Sequence, residues 1–249
     1  MVADGGETAV NEAFRQIGTP TPGGIVAICD HASNFVPADI DLGIAPGLLE
    51  KHVAWDIGAA GVTERLAREH GIPAHLAAIS RLVCDLNREE DAPALVPHAS
   101  DGHAIPGNLF DLAEREERIE RFFRPYHEGL TAWLELAEPA LVLSIHSFTP
   151  SLESAPAARP WEIGILYNDD DRAARLGIPL FAEAGCVVGD NQPYSGRDLN
   201  ATMNRHAEAR GRNYLGIELR QDLIADEAGQ AKWAALIANV ARTVAATLK

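Results

Sequence analysis

Short runs of apolar residues alternate along the chain with longer segments in which apolar residues recur at helical spacing. The short runs are apolar throughout, which is typical of strands buried on both faces. These predicted strands are residues 24–29, 73–79, 140–145, 162–167, 186–189 and 214–219. The predicted helices are residues 46–70, 111–136, 170–184, 198–210 and 226–248. The alternation predicts an α/β three-layer sandwich with a mostly parallel mixed sheet.

The chain shows no internal repeat and no linker, so one domain over residues 1–249 is the simplest division. Residues 1–21 are polar and contain glycine, and we expect a loose N-terminal segment there. They lack the basic start and apolar middle of a secretory signal, which favours a cytoplasmic protein. Cys29, Cys84 and Cys186 are widely spaced in apolar segments, which indicates buried reduced thiols rather than disulfides.

The net charge of −15 narrows the range of partners. A surface this acidic argues against nucleic acid, because proteins that bind phosphate backbones concentrate Lys and Arg. The charge would repel anionic lipid, and no apolar stretch is long enough to cross a bilayer, so we expect no membrane role. We therefore expect the partner to be a small molecule that bears a carboxylate. The sequence does not define an oligomeric state.

Ionisable residues follow three of the predicted strands. His31 follows residues 24–29, His146 follows residues 140–145, and Glu218 lies near the end of residues 214–219. The carboxyl ends of parallel strands face one crevice, so these three side chains are expected to meet there. Imidazole and carboxylate together suit Zn²⁺, which in catalytic sites keeps one position open for water. Considered alone, each histidine is more simply interpreted as a strand-end residue that is hydrogen-bonded to the backbone.

The third metal ligand is less defined by the sequence. His52 and Asp56 are four residues apart in the predicted helix and would share a face, and Asn34 lies three residues after His31. Asp56 is the first choice because a carboxylate binds zinc better than an amide does. Its alternative interpretation is a charge on the helix surface.

An Asn-Arg pair follows the second predicted strand. A guanidinium group binds a planar carboxylate through two parallel hydrogen bonds, so Arg88 with Asn87 beside it can hold an acidic end of a substrate. Without the other segments, this pair would be interpreted as a surface turn. The long connection at residues 80–108 is typical of a functional loop, although His98 and His103 within it are expected at the surface.

Several motifs resemble segments of known enzymes in their residue types and in their order along the chain. Ser-Ile-His-Ser-Phe at 144–148, Asp-Leu-Asn-Arg at 85–88 and Glu-Leu-Arg at 218–220 resemble three segments of zinc carboxypeptidases. In those enzymes the segments carry the last zinc-binding histidine, the clamp for the substrate carboxylate and the catalytic glutamate.

A second set of motifs is more similar to the N-formylglutamate amidohydrolase family, which shares that phosphorylase/hydrolase-like fold. It comprises His-Ala-Ser at 31–33 with Pro37, Trp-Asp at 55–56, and Asn-Gln-Pro-Tyr-Ser-Gly at 191–196. The resemblance to this zinc carboxypeptidase-like fold extends over residues 24–222, which is nearly the whole chain.

The resemblance implies a role for each matching residue. His31 and His146 are expected to bind Zn²⁺, Glu218 to act as the general base, and Asn87 and Arg88 to bind a substrate carboxylate. The carboxypeptidase pattern has a glutamate three residues after its first histidine. This chain has Asn34 at that position, so the third ligand stays open between Asp56, Asn34 and His52.

Three further residues, Tyr194, Ser195 and Arg220, are either substrate contacts or structural residues of their loops.

The implied activity is zinc-dependent hydrolysis of an N-acyl amino acid. The family name suggests N-formylglutamate, cleaved to formate and glutamate during histidine degradation. One alternative is an amidase or carboxypeptidase that acts on another N-acyl amino acid or a cell-wall peptide. A second is a non-catalytic protein that binds zinc or a small acid, although a structural zinc site would not need a free base such as Glu218.

Overall fold

The computed structural model describes residues 6–248. Its main feature is a mixed sheet of eight strands in the order β1-β2-β4-β3-β7-β10-β8-β9. The strands of this sheet are β1 (Glu7–Val10), β2 (Phe14–Ile17), β3 (Ile25–Cys29), β4 (Ala74–Ala77), β7 (Leu141–Phe148), β8 (Ile163–Leu166), β9 (Val188–Asp190) and β10 (Tyr214–Arg220). A two-stranded hairpin, β5 (Ala99–Ser100) and β6 (His103–Ala104), lies outside it.

Helices cover both faces of the sheet. They are α1 (Ala59–His70), α2 (Leu112–Arg118), α3 (Arg124–Ala137), α4 (Arg172–Glu183), α5 (Ala201–His206) and α6 (Glu227–Thr247). Helix α6 contacts both α1 and α4, and all three helices contact strands of the sheet. On the opposite face, Tyr126 and Trp133 of α3 pack against His75 of β4, and His127 of α3 stacks on His206 of α5. The prediction of an α/β three-layer sandwich with a mostly parallel mixed sheet is confirmed.

The centre of the sheet is parallel and nearly free of exposed surface. Strand β7 pairs in parallel with β3 on one side and with β10 on the other. All eight residues of β7 are buried, as expected for a strand covered by helices on both faces. Because β3, β7 and β10 are neighbours, their carboxyl ends open at one place.

The helix predicted at 46–70 is wrong over its first half. Pro46–Glu50 forms a 3₁₀ turn, and the α-helix begins only at Ala59. Gly58, the residue before α1, has a φ of 82°, a left-handed conformation that no continuous helix allows. The apolar residues before it, Val53 and Ala54, are buried without helical backbone.

The predicted helix at 111–136 also departs from a regular helix. A π-helical segment, Ile119–Phe123, separates α2 from α3, and Pro125 lies in the first turn of α3, where its missing N–H is tolerated. The helix predicted at 198–210 is shorter, because α5 ends at His206 and a 3₁₀ turn follows.

Two strands lie in the N-terminal segment that is expected to be loose from its composition. Strand β2 pairs with both β1 and β4, and Phe14 and Ile17 are buried in the core. Residues 1–5 lie outside the described part of the chain.

Cys29 and Cys84 are buried free thiols as predicted, whereas Cys186 is only partly buried. Within residues 6–248, no helix has the length and apolar character that crossing a bilayer requires.

Substituting Gly58 with alanine tests the turn that ends before α1. A Cβ at Gly58 would overlap the carbonyl oxygen of Ile224, and the left-handed φ adds strain. We expect Gly58→Ala to lower the free energy of unfolding by roughly 2–4 kcal/mol. Gly71 is the matched control, because its φ is 66° and no described atom lies within 4 Å of the place that a Cβ would occupy. Chemical denaturation should show a loss of only about 1 kcal/mol for Gly71→Ala; equal losses would contradict the steric argument.

Candidate active site

The three neighbouring strands bring the predicted site residues together. His31 lies two residues beyond the end of β3, His146 lies in β7 and Glu218 lies in β10. His146 and Glu218 are direct partners in the parallel pairing of β7 and β10. All three side chains are buried, and all three line the same cavity.

His31, Asp56 and His146 form a compact group of possible metal ligands. One ligand atom from each residue lies within 4.8 Å of the other two. The Nδ1 atom of His146 is 2.9 Å from Oδ2 of Asp56, and Nδ1 of His31 is 3.4 Å from the same oxygen. Both imidazoles therefore direct Nδ1 towards one carboxylate oxygen.

The opposite ring nitrogens face further carboxylates. Nε2 of His31 is 2.7 Å from Oδ1 of Asp85, and Nε2 of His146 is 3.5 Å from Oδ2 of Asp30. The hydroxyl of Tyr126 donates to the other oxygen of Asp30 at 2.6 Å. Metal-binding histidines typically have a carboxylate on the ring nitrogen that does not bind the metal, because it fixes the ring orientation and the tautomer.

Backbone and guanidinium groups hold Asp56 between the two histidines. Its backbone N–H donates to the carbonyl of His31 at 3.0 Å, and the N–H of Ser147 donates to its Oδ2 at 3.2 Å. Nη1 of Arg81 lies 3.5 Å from its Oδ1. The predicted position of Asp56 on a helix is wrong, because the residue precedes α1 and reaches the histidines from a turn.

The other two residues considered as third ligands make other contacts, although His52 also lines the cavity. The Nδ2 group of Asn34 donates to the carbonyl of Leu49 at 3.0 Å, and Nε2 of His52 is 2.9 Å from Oδ2 of Asp101. His52 is not part of the group formed by His31, Asp56 and His146.

The chemistry of this donor set fits a divalent metal ion. Two imidazole nitrogens and one carboxylate oxygen are a common protein ligand set for catalytic zinc, and they leave a position for water or substrate. The buried Oε2 of Glu218 has no hydrogen-bond partner in the described protein, so its hydrogen-bonding capacity is free for a group in the cavity.

Burial and neighbouring charges shift the pKa values of the site. Burial alone would lower the pKa of His146, but its contacts with Asp30 and Asp56 outweigh burial and raise that pKa well above its usual range. Burial raises the pKa of Glu218 to about 7, although the charge of His146 opposes this shift. A carboxyl group with a pKa near neutral pH is suited to accept and return a proton.

The cavity has a volume of about 300 Å³ and contains both charged and apolar walls. Arg81 and Arg88 supply positive charge, and Phe148, Leu152 and Leu199 supply apolar surface. Arg81, which was not among the predicted site residues, follows β4 and donates to Oδ2 of Asp85 at 2.7 Å. Its position just after a strand, four residues before Asp85, was the available signal.

The predicted carboxylate clamp lies at this cavity. Asn87 and Arg88 both line it, and the backbone N–H of Thr202 donates to Oδ1 of Asn87 at 3.0 Å. Arg88 is only loosely engaged, because its Nε is 3.6 Å from Oδ2 of Asp85. Tyr194 also lines the cavity, and its hydroxyl accepts a hydrogen bond from Arg159 at 3.0 Å.

Two residues considered as substrate contacts do not line the cavity. Ser195 accepts a hydrogen bond from the backbone N–H of Arg197 at 3.2 Å. Arg220 donates to Asp222 at 2.7 Å and to the carbonyl of Trp161. These contacts fit the structural interpretation of both residues.

The long connection supplies part of the cavity wall. Ser100 and Asp101, in and after β5, line the cavity, which fits the expectation of a functional loop. His98 is exposed, and His103 contacts Glu153 at the surface at 3.1 Å, as expected for loop residues outside the site.

The chain matches one known protein family and is similar to proteins of known structure. The sequence profile of the N-formylglutamate amidohydrolase family matches residues 23–225. A gene product of Agrobacterium tumefaciens is 32% identical, with a TM-score of 0.89 over 95% of this chain and 96% of that one. An N-formylglutamate amidohydrolase from Ralstonia eutropha is 23% identical, with a TM-score of 0.69 over 96% of this chain and 98% of that one. Among proteins with curated descriptions, none matches the sequence.

Substituting Asp56 with asparagine tests the metal group. The amide keeps the side-chain volume but removes the charged oxygen on which His31 and His146 converge, so we expect the affinity for Zn²⁺ to fall by about two orders of magnitude or more. Asn34→Ala is the control, because Asn34 contacts only a backbone carbonyl in the surrounding loop. Competition with a chromogenic chelator measures both affinities. Unchanged binding by Asp56→Asn would remove Asp56 from the ligand set.

Proposed function

Since the chain belongs to the N-formylglutamate amidohydrolase family, we propose that it is a zinc-dependent hydrolase that cleaves N-formylglutamate to formate and glutamate. Membership of the family supports a hydrolase that acts on amides. The observation that carries the finer proposal is the cavity itself, where the His31–Asp56–His146 group, the unpartnered Glu218 and the loosely engaged Arg88 face one space.

His31, Asp56 and His146 would hold the metal ion. When bound, a zinc ion would polarise the scissile carbonyl and lower the pKa of a nearby water to about 7. Asp85 acts from outside this group and orients the imidazole ring of His31 through Nε2. Asp30 faces Nε2 of His146 at 3.5 Å, which is an ion-pair distance rather than a hydrogen bond. Arg81 contacts both Asp56 and Asp85 and so offsets part of the negative charge buried behind the site.

Glu218 is the proposed general base. Its buried carboxylate takes a proton from the attacking water as the water oxygen bonds to the formyl carbon. It then gives this proton to the departing nitrogen as the carbon–nitrogen bond breaks, which yields formate and the free amino group of glutamate. Burial raises the pKa of Glu218 above its usual range, which favours acceptance of the proton from water and its later return to the nitrogen.

Arg88 and Asn87 are proposed to hold the α-carboxylate of the substrate. Arg88 makes only long contacts, at 3.6 Å with Asp85 and at 3.5 Å with the backbone carbonyl of Asn87, so its guanidinium group can form paired hydrogen bonds with a planar carboxylate. The bond from Thr202 fixes the side-chain oxygen of Asn87, which leaves the amide N–H groups of Asn87 to donate to the substrate. A compound without a carboxylate would leave this cation unpaired, which disfavours its binding.

Glu218→Gln tests the proposed reaction. We expect purified wild-type protein to contain about one zinc ion per chain and to release formate from N-formylglutamate until a chelator is added. Glu218→Gln should keep the metal and lose at least roughly 100-fold in kcat, because the amide cannot accept the proton. Elemental analysis and a formate assay measure the two properties.

The outcomes separate the alternatives. Zinc with no formate release, but with release of another acyl group from a panel of N-acyl amino acids, would change the substrate and keep the reaction. A Glu218→Gln variant with wild-type turnover would rule out Glu218 as the base. Metal binding without hydrolysis of any member of the panel would favour a binding protein.

Arg88→Gln tests the carboxylate clamp. Loss of a charge-assisted, paired hydrogen bond is expected to raise KM for N-formylglutamate by roughly 30-fold or more, with a smaller effect on kcat. Arg220→Gln is the matched control, because Arg220 lies outside the cavity and pairs with Asp222. Steady-state kinetics of both variants should show a large KM effect at Arg88 alone; equal effects would argue against the clamp.

A further inference from the structure

Two loops meet over the outer side of the cavity. One is the hairpin formed by β5 and β6, and the other is the segment at residues 149–159, which connects β7 to β8. Ser100 and Asp101 from the hairpin line the cavity, as do Leu152 and Ser154 from the connecting segment. The outer wall therefore depends on how these loops are held together.

The carboxylate of Asp101 joins the two loops. It accepts hydrogen bonds from the backbone N–H groups of Glu153 and Ser154, each at 2.9 Å, and from the hydroxyl of Ser154. Nε2 of His52, from a third segment, lies 2.9 Å from the same carboxylate. The Asp101 side chain is only 5% exposed, although Glu153 and Ser154, which donate to it, lie on the exposed part of the connecting segment. Hydrogen bonds to an ionised acceptor are stronger than neutral ones.

The backbone of the hairpin presents Asp101 for this role. Asp101 and Gly102 connect β5 to β6 with φ values of 44° and 81°. Two consecutive left-handed residues are characteristic of the tight type I′ turn, for which Asp-Gly is a preferred sequence. Asp101 therefore lies at a rigid tip rather than in a loose loop.

The connecting segment has few other contacts of this kind. Residues 153–158 are exposed and contain no helix or strand. Glu153 contacts Lys51 at 2.8 Å and His103 at 3.1 Å, but these pairs are at the surface, where ion pairs contribute little. Asp101 thus accepts three hydrogen bonds from the part of the segment that carries Leu152 and Ser154. At the end of the segment, Arg159 donates to the hydroxyl of Tyr194.

We propose that Asp101 is a specificity-determining residue that positions residues 149–159 and so limits the size of the acyl group that the cavity accepts. The cavity volume of about 300 Å³ lies at the small end for ligand pockets. Releasing the segment would move Leu152 and Ser154 away from the substrate and admit larger groups. This inference rests on the proposed function for the identity of the substrate.

The test compares Asp101→Ala with Asp111→Ala. Asp111 also accepts two backbone hydrogen bonds, at the start of α2, but it does not line the cavity. We expect Asp101→Ala to raise the ratio of kcat/KM for N-benzoylglutamate to that for N-formylglutamate at least roughly tenfold, whereas Asp111→Ala leaves the ratio unchanged. An equal fall for both substrates in Asp101→Ala would indicate a general structural role and overturn the proposal.

A second measurement does not require turnover. Amide hydrogen exchange at Glu153 and Ser154 should accelerate at least roughly tenfold in Asp101→Ala and stay unchanged in Asp111→Ala. Calorimetry should show that Asp101→Ala loses discrimination between the benzoyl and formyl compounds in binding. Unchanged exchange or unchanged discrimination would overturn the proposal. If the wild-type protein hydrolyses neither compound but Asp101→Ala still loses discrimination in binding, the proposed function is rejected and this inference is retained.

Discussion

The buried carboxylate of Asp56 is the interaction on which the site depends. Removing a carboxylate from water costs several kcal/mol unless charges and hydrogen bonds compensate it. Here two imidazoles, a backbone N–H and the guanidinium group of Arg81 surround it. Their combined effect keeps the pKa of Asp56 below its usual value despite complete burial, so the group stays charged. A charged, desolvated oxygen between two imidazoles is suited to a cation.

The fold supplies this arrangement through two separate constraints. The adjacency of β3, β7 and β10 fixes the spacing of His31, His146 and Glu218, since paired strands cannot shift without breaking their hydrogen bonds. The turn before Gly58 is the second constraint. A continuous helix through Asp56 would carry its side chain along a helix face, whereas the left-handed glycine ends the turn and lets Asp56 bond to the backbone of His31.

The parts of this site that follow from local pattern were predictable from sequence. The fold class and the family resemblance are confirmed, because apolar runs and strand-end motifs are local signals. The position of Asp56 was not predictable, because the helical spacing of apolar residues at 46–58 arises here from a 3₁₀ turn and irregular backbone, and the helix begins only at Ala59. Strand β2 and Arg81 were missed for a related reason, since their roles depend on pairing with distant residues.

The residues proposed for the reaction and those proposed for selectivity lie in different parts of the fold, the first on the sheet and the second on loops. The groups proposed for chemistry lie on or beside buried central strands, where displacement of a side chain would disturb close packing on both faces. Asp101 and residues 149–159 lie on loops, and their contacts with the rest of the protein are fewer. Changes in these loops can therefore alter which acyl group fits without moving His146 or Glu218. Selectivity is then the property most easily changed, and the reaction itself the least.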